Sequence, residues 1–192
     1  MMRAALPFFP LSKGRTHEVC GAGAYGFAFS LAAHLGGNFL WIREAWEPTQ
    51  LNPNGITAFL DPSKILLGHT KDQLESLAVA EEALRSGALP LVVIALSKPI
   101  GLTEGRRLQL AARDGKSVGL AIIPEGMGSN AAETRWQCRP AFSPNVSPDA
   151  SPYDSTLNRW ELIKNKSGTL GVWHVRWDTA SRRLDLVSAS GE

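Results

Sequence analysis

Apolar and polar positions follow one another in blocks that predict strands and helices in turn. A strand predicted over 16–20 leads into a glycine-rich loop. Phe27, Leu31 and Leu35 then repeat at helical spacing, which predicts a helix. Continuous apolar runs, which are typical of buried parallel strands, lie at NFLWI (38–42), KILLG (64–68), LPLVVIAL (89–96) and SVGLAII (117–123).

Two amphipathic segments separate these runs. The clearest helix is predicted over 70–87, with Leu74, Leu77 and Leu84 on one face. The segment LTEGRRLQLAARDG (102–115) predicts another helix. Because alternating helices and apolar strands are typical of an open parallel sheet covered on both faces, we expect an α/β fold with a mostly parallel, twisted sheet flanked by helices.

The pattern changes after Pro124. Four segments with one polar face predict antiparallel strands at the carboxyl-terminal end: 133–139, 159–165, 171–177 and 182–188. Residues 140–156 are rich in proline and serine, which predicts a long mobile loop. We therefore expect an amino-terminal arm over 1–13 and one domain over 14–192.

Composition narrows the class of protein. With 192 residues, 44% apolar and 20% charged, the chain is globular, and its net charge of +2 does not by itself indicate a nucleic-acid partner. Cys20 and Cys138 are isolated, which favours reduced thiols and neither a disulfide framework nor a metal site. No apolar run reaches the roughly 18 residues of a membrane helix, so we expect a cytoplasmic protein without a membrane partner.

The loop EVCGAGAYGFAF contains the spacing G-x-G-x-x-G at Gly21, Gly23 and Gly26. Together with Glu44 after the next strand, this spacing is compatible with a dinucleotide site, in which an acid about 20 residues on binds the ribose. A small NAD(P)- or FAD-binding Rossmann oxidoreductase is therefore one alternative. The other explanation is that small residues allow a tight turn between strand and helix.

Gly21 and Gly26 also match the front of the phosphate loop G-x-x-x-x-G-K-[ST]. Phe27 and Ala28 occupy the positions of the lysine and the hydroxyl, so contacts to phosphate and Mg²⁺ are lost. We expect Tyr25 and Phe27 to fill the phosphate cradle. The run LPLVVIAL also lacks the aspartate that would hold magnesium. The sequence thus predicts a degenerate phosphate loop without cofactor, metal or catalytic residue.

Several segments carry a family resemblance. GRTHEVCGAGAYG and NRWELIKNK resemble the ATPase core of the recombinase RecA. The chain from 14 to about 187 resembles the RecA-like inducible-mutagenesis family ImuA. The stretches that carry this resemblance are GRTHEV, EEALRSGAL, GRRLQLAARDG, SNAAETRW and WELIKNKSGTLGVWHVRWD. The resemblance implies a RecA-like domain and a non-enzymatic accessory role in SOS-induced, error-prone DNA repair by translesion synthesis. The implied partners are an ImuB-like Y-family polymerase homologue and an error-prone polymerase alpha subunit, with RecA as a further candidate.

The resemblance also marks two lysines. In RecA filaments the lysines of the IKNK motif reach the nucleotide of the neighbouring subunit, and here they are Lys164 and Lys166. They are therefore candidate partner-binding residues, although lysines at a strand edge also serve simply to discourage aggregation. The segment PEGMGSN (124–130) is short where RecA has a long DNA-binding loop, which argues against strand exchange.

Three arginines are candidate DNA contacts. Arg106, Arg107 and Arg113 lie on one predicted helix, with 106 and 113 two turns apart, and a solvated helix face is the alternative. We expect 133–135 to be structural or interfacial.

A cell-division inhibitor of the SulA type, which also works by binding a protein, is a further alternative function.

Overall fold

A computed structural model describes residues 6–142 and 157–190. The strands are β1 (Arg15–Cys20), β2 (Phe39–Glu44), β3 (Ile65–Thr70), β4 (Leu91–Ala95), β5 (Val118–Ile122), β6 (Thr134–Pro140), β7 (Asn158–Asn165), β8 (Gly171–Asp178) and β9 (Arg183–Ser190). The helices are α1 (Ala24–Leu35), α2 (Pro53–Ile56), α3 (Gln73–Ser86) and α4 (Leu102–Gly115), with a 3₁₀ turn over Pro62–Lys64.

Among the described residues, the nine strands form one mixed sheet in the order β3-β2-β4-β5-β1-β6-β7-β8-β9. The first six strands in this order are parallel, and β7, β8 and β9 are antiparallel. The predictions of an α/β fold, a mostly parallel sheet and antiparallel carboxyl-terminal strands are therefore confirmed. Strand β1 lies inside the sheet between β5 and β6, so the loop that follows β1 starts from a buried position.

The two faces of the sheet carry separate cores. Leu91 and Val93 of β4 pack with α1 in a cluster rich in aromatic rings. Val92 and Ile94 of the same strand pack with α3 and α4. Because successive side chains of a strand point to opposite faces, this division explains why the central strands read as continuous apolar runs.

Helix α3 begins and ends where its sequence indicates. The carboxylate of Asp72 accepts a hydrogen bond from the backbone N–H of Glu75, and Gly87 ends the helix in the left-handed region. The prediction that Leu74 shares the buried face is wrong, because this side chain is 76% exposed. The stripe that faces the sheet includes Ala80 and Leu84, and Leu74 lies roughly a third of a turn away from it.

The described part of the amino-terminal arm packs on the core. Leu6 and Leu11 are buried, and the ring of Phe9 contacts Phe27 and Trp160. The predicted mobile loop over 140–156 falls largely on 143–156, which lie outside the described residues. Within the described ranges, no helix has the length and apolar character needed to cross a membrane.

Candidate phosphate loop and its surroundings

The loop between β1 and α1 packs directly against the backbone of β6. The N–H of Gly23 donates a 2.8 Å hydrogen bond to the carbonyl of Cys138. Gly21 has φ +91°, and a Cβ at this position would lie 2.4 Å from the same carbonyl oxygen. These two glycines therefore permit a close approach of protein backbone, and the amide of Gly23 is already satisfied.

The residues at the lysine and hydroxyl positions of a phosphate loop face the interior. Phe27 and Ala28 are fully buried. The ring centroid of Phe27 lies 4.6 Å from that of Trp160 and 5.5 Å from that of Trp136. The expectation that Phe27 fills the cradle is thus wrong, since its ring belongs to the aromatic core behind the loop. Tyr25 is partly exposed and its ring lies beside Trp41.

A carboxylate lies next to the loop. The Oε1 atom of Glu125 would be 3.4 Å from a Cβ at Gly21, and its Oε2 accepts a 2.7 Å hydrogen bond from Arg139. Burial and the charge of Glu125 raise the pKa of the Cys20 thiol at the end of β1. A carboxylate offers no hydrogen-bond donor to an anion at the loop, and the ion pair with Arg139 compensates its charge. This electrostatic feature was not anticipated from the sequence.

Glu44 is held in place at the carboxyl end of β2. It is buried, its Oε1 accepts a 2.8 Å hydrogen bond from Ser97, and its Oε2 accepts one from the indole N–H of Trp46. These residues line a cavity of about 160 Å³, and Tyr25 is also part of its lining. Beside Glu44, the Arg43 guanidinium donates to backbone carbonyls of the following loop, while its buried Nε has no partner among the described residues.

The strand order separates Glu44 from the glycine loop. Strands β4 and β5 lie between β2 and β1, which amounts to three strand spacings, or about 14 Å. In the classic dinucleotide-binding strand order 3-2-1-4-5-6, strand 1 and strand 2 are direct neighbours. The arrangement therefore disfavours the dinucleotide interpretation of Gly21, Gly23, Gly26 and Glu44.

The two IKNK lysines bind backbone carbonyls of their own chain. Lys164 Nζ donates to the carbonyls of Ser129, Asn130 and Ala132, and Lys166 Nζ donates to that of Ala131 at 2.7 Å. Burial and the charge of Lys166 lower the pKa of Lys164. The lysines thus connect the end of β7 to the segment before β6. Lys164 is half-buried, whereas Lys166 is exposed.

The three candidate arginines of α4 are all exposed but have different surroundings. Arg107 forms a 2.8 Å ion pair with Glu81 of α3, and Arg113 lies 3.6 Å from the carboxylate of its neighbour Asp114. Arg106 faces a groove next to Lys166. The arginines therefore do not form one patch, because Arg107 is directed to the neighbouring helix.

A buried polar network on β1 was missed by sequence reasoning. The carboxylate of Glu18 accepts from the N–H of Ser129 and from Arg135 Nε, both at 2.7 Å. The neighbouring imidazole of His17 lies 2.7 Å from the hydroxyl of Thr134, and burial lowers the pKa of His17 to about 4. The sequence signal was the pair HE within a predicted strand, where two polar groups require internal partners once they are buried. The expectation that 133–135 have structural roles agrees with these contacts.

Comparisons with known proteins add no assignment. No protein-family model matches the chain. A search of curated proteins also found no match. Within the part of the chain that the structure describes, no group of three or more His, Cys, Asp or Glu side chains is placed to hold a metal ion.

Proposed function

We propose that this protein is a non-catalytic, RecA-like accessory in SOS-induced, error-prone translesion synthesis. Its degenerate phosphate loop has a structural role only. The function of the protein is to bind partner proteins of the mutagenic polymerase assembly. The partners under this proposal are an ImuB-like Y-family polymerase homologue and an error-prone polymerase alpha subunit, with RecA as a further candidate. The family resemblance of the sequence supplies these partner classes.

The observation that carries the non-catalytic part of the proposal is the occupied loop. A working phosphate loop presents free backbone amides, a lysine and a hydroxyl to the triphosphate. Here the amide of Gly23 binds the Cys138 carbonyl, Phe27 and Ala28 are buried, and Glu125 lies beside Gly21. The occupied amide and the two buried side chains thus oppose phosphate binding at one place.

The nucleotide test is a calorimetric titration of the purified protein with a non-hydrolysable ATP analogue plus Mg²⁺, and separately with NADH. We expect no saturable heat from either ligand. Saturable binding of the ATP analogue, or turnover of ATP, would overturn the pseudo-ATPase proposal. Saturable binding of NADH would instead favour the oxidoreductase alternative.

The partner test is affinity capture of the tagged protein from cells treated with a DNA-damaging agent, followed by mass spectrometry. We expect recovery of a Y-family polymerase homologue and a polymerase alpha subunit above an untagged control. Recovery of a tubulin-like division protein without polymerase components would favour the SulA-type alternative and contradict the proposal.

A further inference from the structure

A groove runs between α4 and the segment before β6. Its volume is about 440 Å³. Leu102, Arg106 and Leu110 form one wall, and Ala131 and Lys166 form the other. This volume is in the range of about 300–1,000 Å³ that binding pockets occupy. The groove lies outside the phosphate loop and its cavity.

Both walls of the groove are held by internal hydrogen bonds. Between the two leucines, Gln109 accepts from the hydroxyl and from the N–H of Thr16, at 2.6 and 2.8 Å. On the opposite wall, Lys166 donates to the carbonyl of Ala131. The groove is therefore preformed, which lowers the entropic cost of binding a partner.

The groove combines exposed apolar surface with positive charge. Leu102 and Leu110 are each 47% exposed although they lie on the same face of α4. Arg106 lies between them along the helix, Lys166 lies opposite, and none of the described lining residues is acidic. The adjacent Arg107, by contrast, is neutralised by Glu81. Such a surface is complementary to a ligand that presents both aliphatic side chains and carboxylates.

We propose that this groove binds an acidic, leucine-containing peptide segment of a partner protein. The inference rests on the proposed role as a partner-binding scaffold and names the chemistry of one docking site. A nucleic acid fits less well, because the described lining offers no aromatic ring on which a base could stack and its two leucines would face a sugar–phosphate chain. The partner's leucines cover Leu102 and Leu110, and its carboxylates pair with Arg106 and Lys166.

The test uses fluorescence anisotropy of the full chain with a labelled synthetic peptide in which paired leucines are flanked by glutamates. We expect saturable binding that weakens at least about tenfold in Arg106→Ala and in Leu110→Ser, which corresponds to about 1.4 kcal/mol or more. Arg107→Ala is the matched control, since this arginine lies next in sequence but faces α3. It should leave the peptide affinity within about twofold of wild type. A peptide with lysines in place of the glutamates should not bind.

Three results would overturn the inference. They are the absence of saturable peptide binding, an equal loss of affinity in Arg107→Ala, and tighter binding of a single- or double-stranded oligonucleotide that Arg106→Ala abolishes. Failure of the peptide with successful capture of polymerase components would reject the groove but leave the proposed function standing. Peptide binding without capture of those components would support the groove but contradict the proposed function.

Discussion

Two glycines of the loop after β1 have different surroundings, although a phosphate loop would need both. Gly21 has a positive φ and touches the Cys138 carbonyl, so a side chain there meets backbone. Gly26 lies within α1, and its nearest neighbour to an added Cβ is the Phe59 ring at 4.0 Å. At the residue scale, therefore, one glycine is required by packing and the other is not.

This difference makes a paired prediction. We expect Gly21→Ala to lower the free energy of unfolding by about 2–4 kcal/mol, because the Cβ would clash with a carbonyl and the backbone conformation is unfavourable for alanine. Gly26→Ala should be neutral or stabilising by up to about 1 kcal/mol, because alanine favours the helix and open space receives its methyl group. Urea unfolding of both variants measures the effect. Equal destabilisation would contradict the steric account.

A second residue-scale prediction concerns the charge beside the loop. Glu125→Gln removes the negative charge next to Gly21 while keeping the shape of the side chain. Because this carboxylate contributes to the raised pKa of Cys20, its loss should lower the pKa of that thiol. The rate of thiol modification as a function of pH measures the change. Glu82→Gln, on the exposed part of α3, is the control and should leave the titration of Cys20 unaltered.

At the scale of elements, the junction between β7 and β6 depends on two ammonium groups. Lys164 contacts three carbonyls and Lys166 a fourth, all in 129–132. The resemblance to RecA made these lysines candidates for a partner's nucleotide, a role that stays a prediction. Their contacts within the chain give them a local function that does not require a partner.

Lys164→Met should loosen the segment 129–134. We expect faster hydrogen exchange of its backbone amides, corresponding to about 1–3 kcal/mol of local opening free energy, because three carbonyls lose their shared donor. Lys71→Met, at an exposed lysine before α3, should leave the exchange unchanged. If Lys164→Met weakened partner capture in ATP without altering exchange, the partner role would be favoured over the structural one.

The prediction of helices and strands from the sequence succeeded where the period of the apolar positions was unambiguous. Helix α4 lies at 102–115 as predicted, and the apolar runs became the parallel strands of the sheet. The short helix α2 was missed in a segment rich in turn residues, where the Asn52 side chain caps a single turn. Leu74 was misplaced because it lies at the edge of the predicted face, whereas the stripe that meets the sheet includes Ala80 and Leu84.

The candidate site was less predictable than the fold. The missing lysine and hydroxyl could be read at positions 27 and 28, since they are local in sequence. The contacts of the Cys138 carbonyl and the Glu125 carboxylate with the loop could not be predicted from the sequence. Both groups are brought to the loop by strand pairing between residues more than a hundred positions apart. Strand order likewise decides whether Glu44 can meet the loop, and a single sequence does not determine that order.

At the scale of the whole molecule, stability depends on a buried neutral imidazole. Nε2 of His17 donates to the Ser12 carbonyl, so Nδ1 accepts from the Thr134 hydroxyl. Burial lowers the pKa of His17 from 6.5 to about 4. The unfolded chain therefore takes up a proton at a higher pH than the folded chain does. The stabilisation is complete above pH 6.5 and is lost as the pH falls towards 4.

We expect the free energy of unfolding to fall by about 2 kcal/mol between about pH 7 and pH 5 from this group alone. His17→Gln should keep a hydrogen-bonding side chain without a titration in this range, so its stability should depend less steeply on pH. Denaturant unfolding of both proteins across the interval measures the difference. Parallel pH profiles would show that His17 titrates alike in the folded and unfolded states.

The contact between the Cys138 carbonyl and the glycine loop also limits what substitutions within the loop could achieve. Introducing lysine and serine at 27 and 28 would place a cation and a hydroxyl inside an aromatic core. The Cys138 carbonyl of β6 would still accept the hydrogen bond from the Gly23 amide. Two substitutions would therefore not create a working phosphate loop here, because β6 packs on the turn and that whole strand would also have to move.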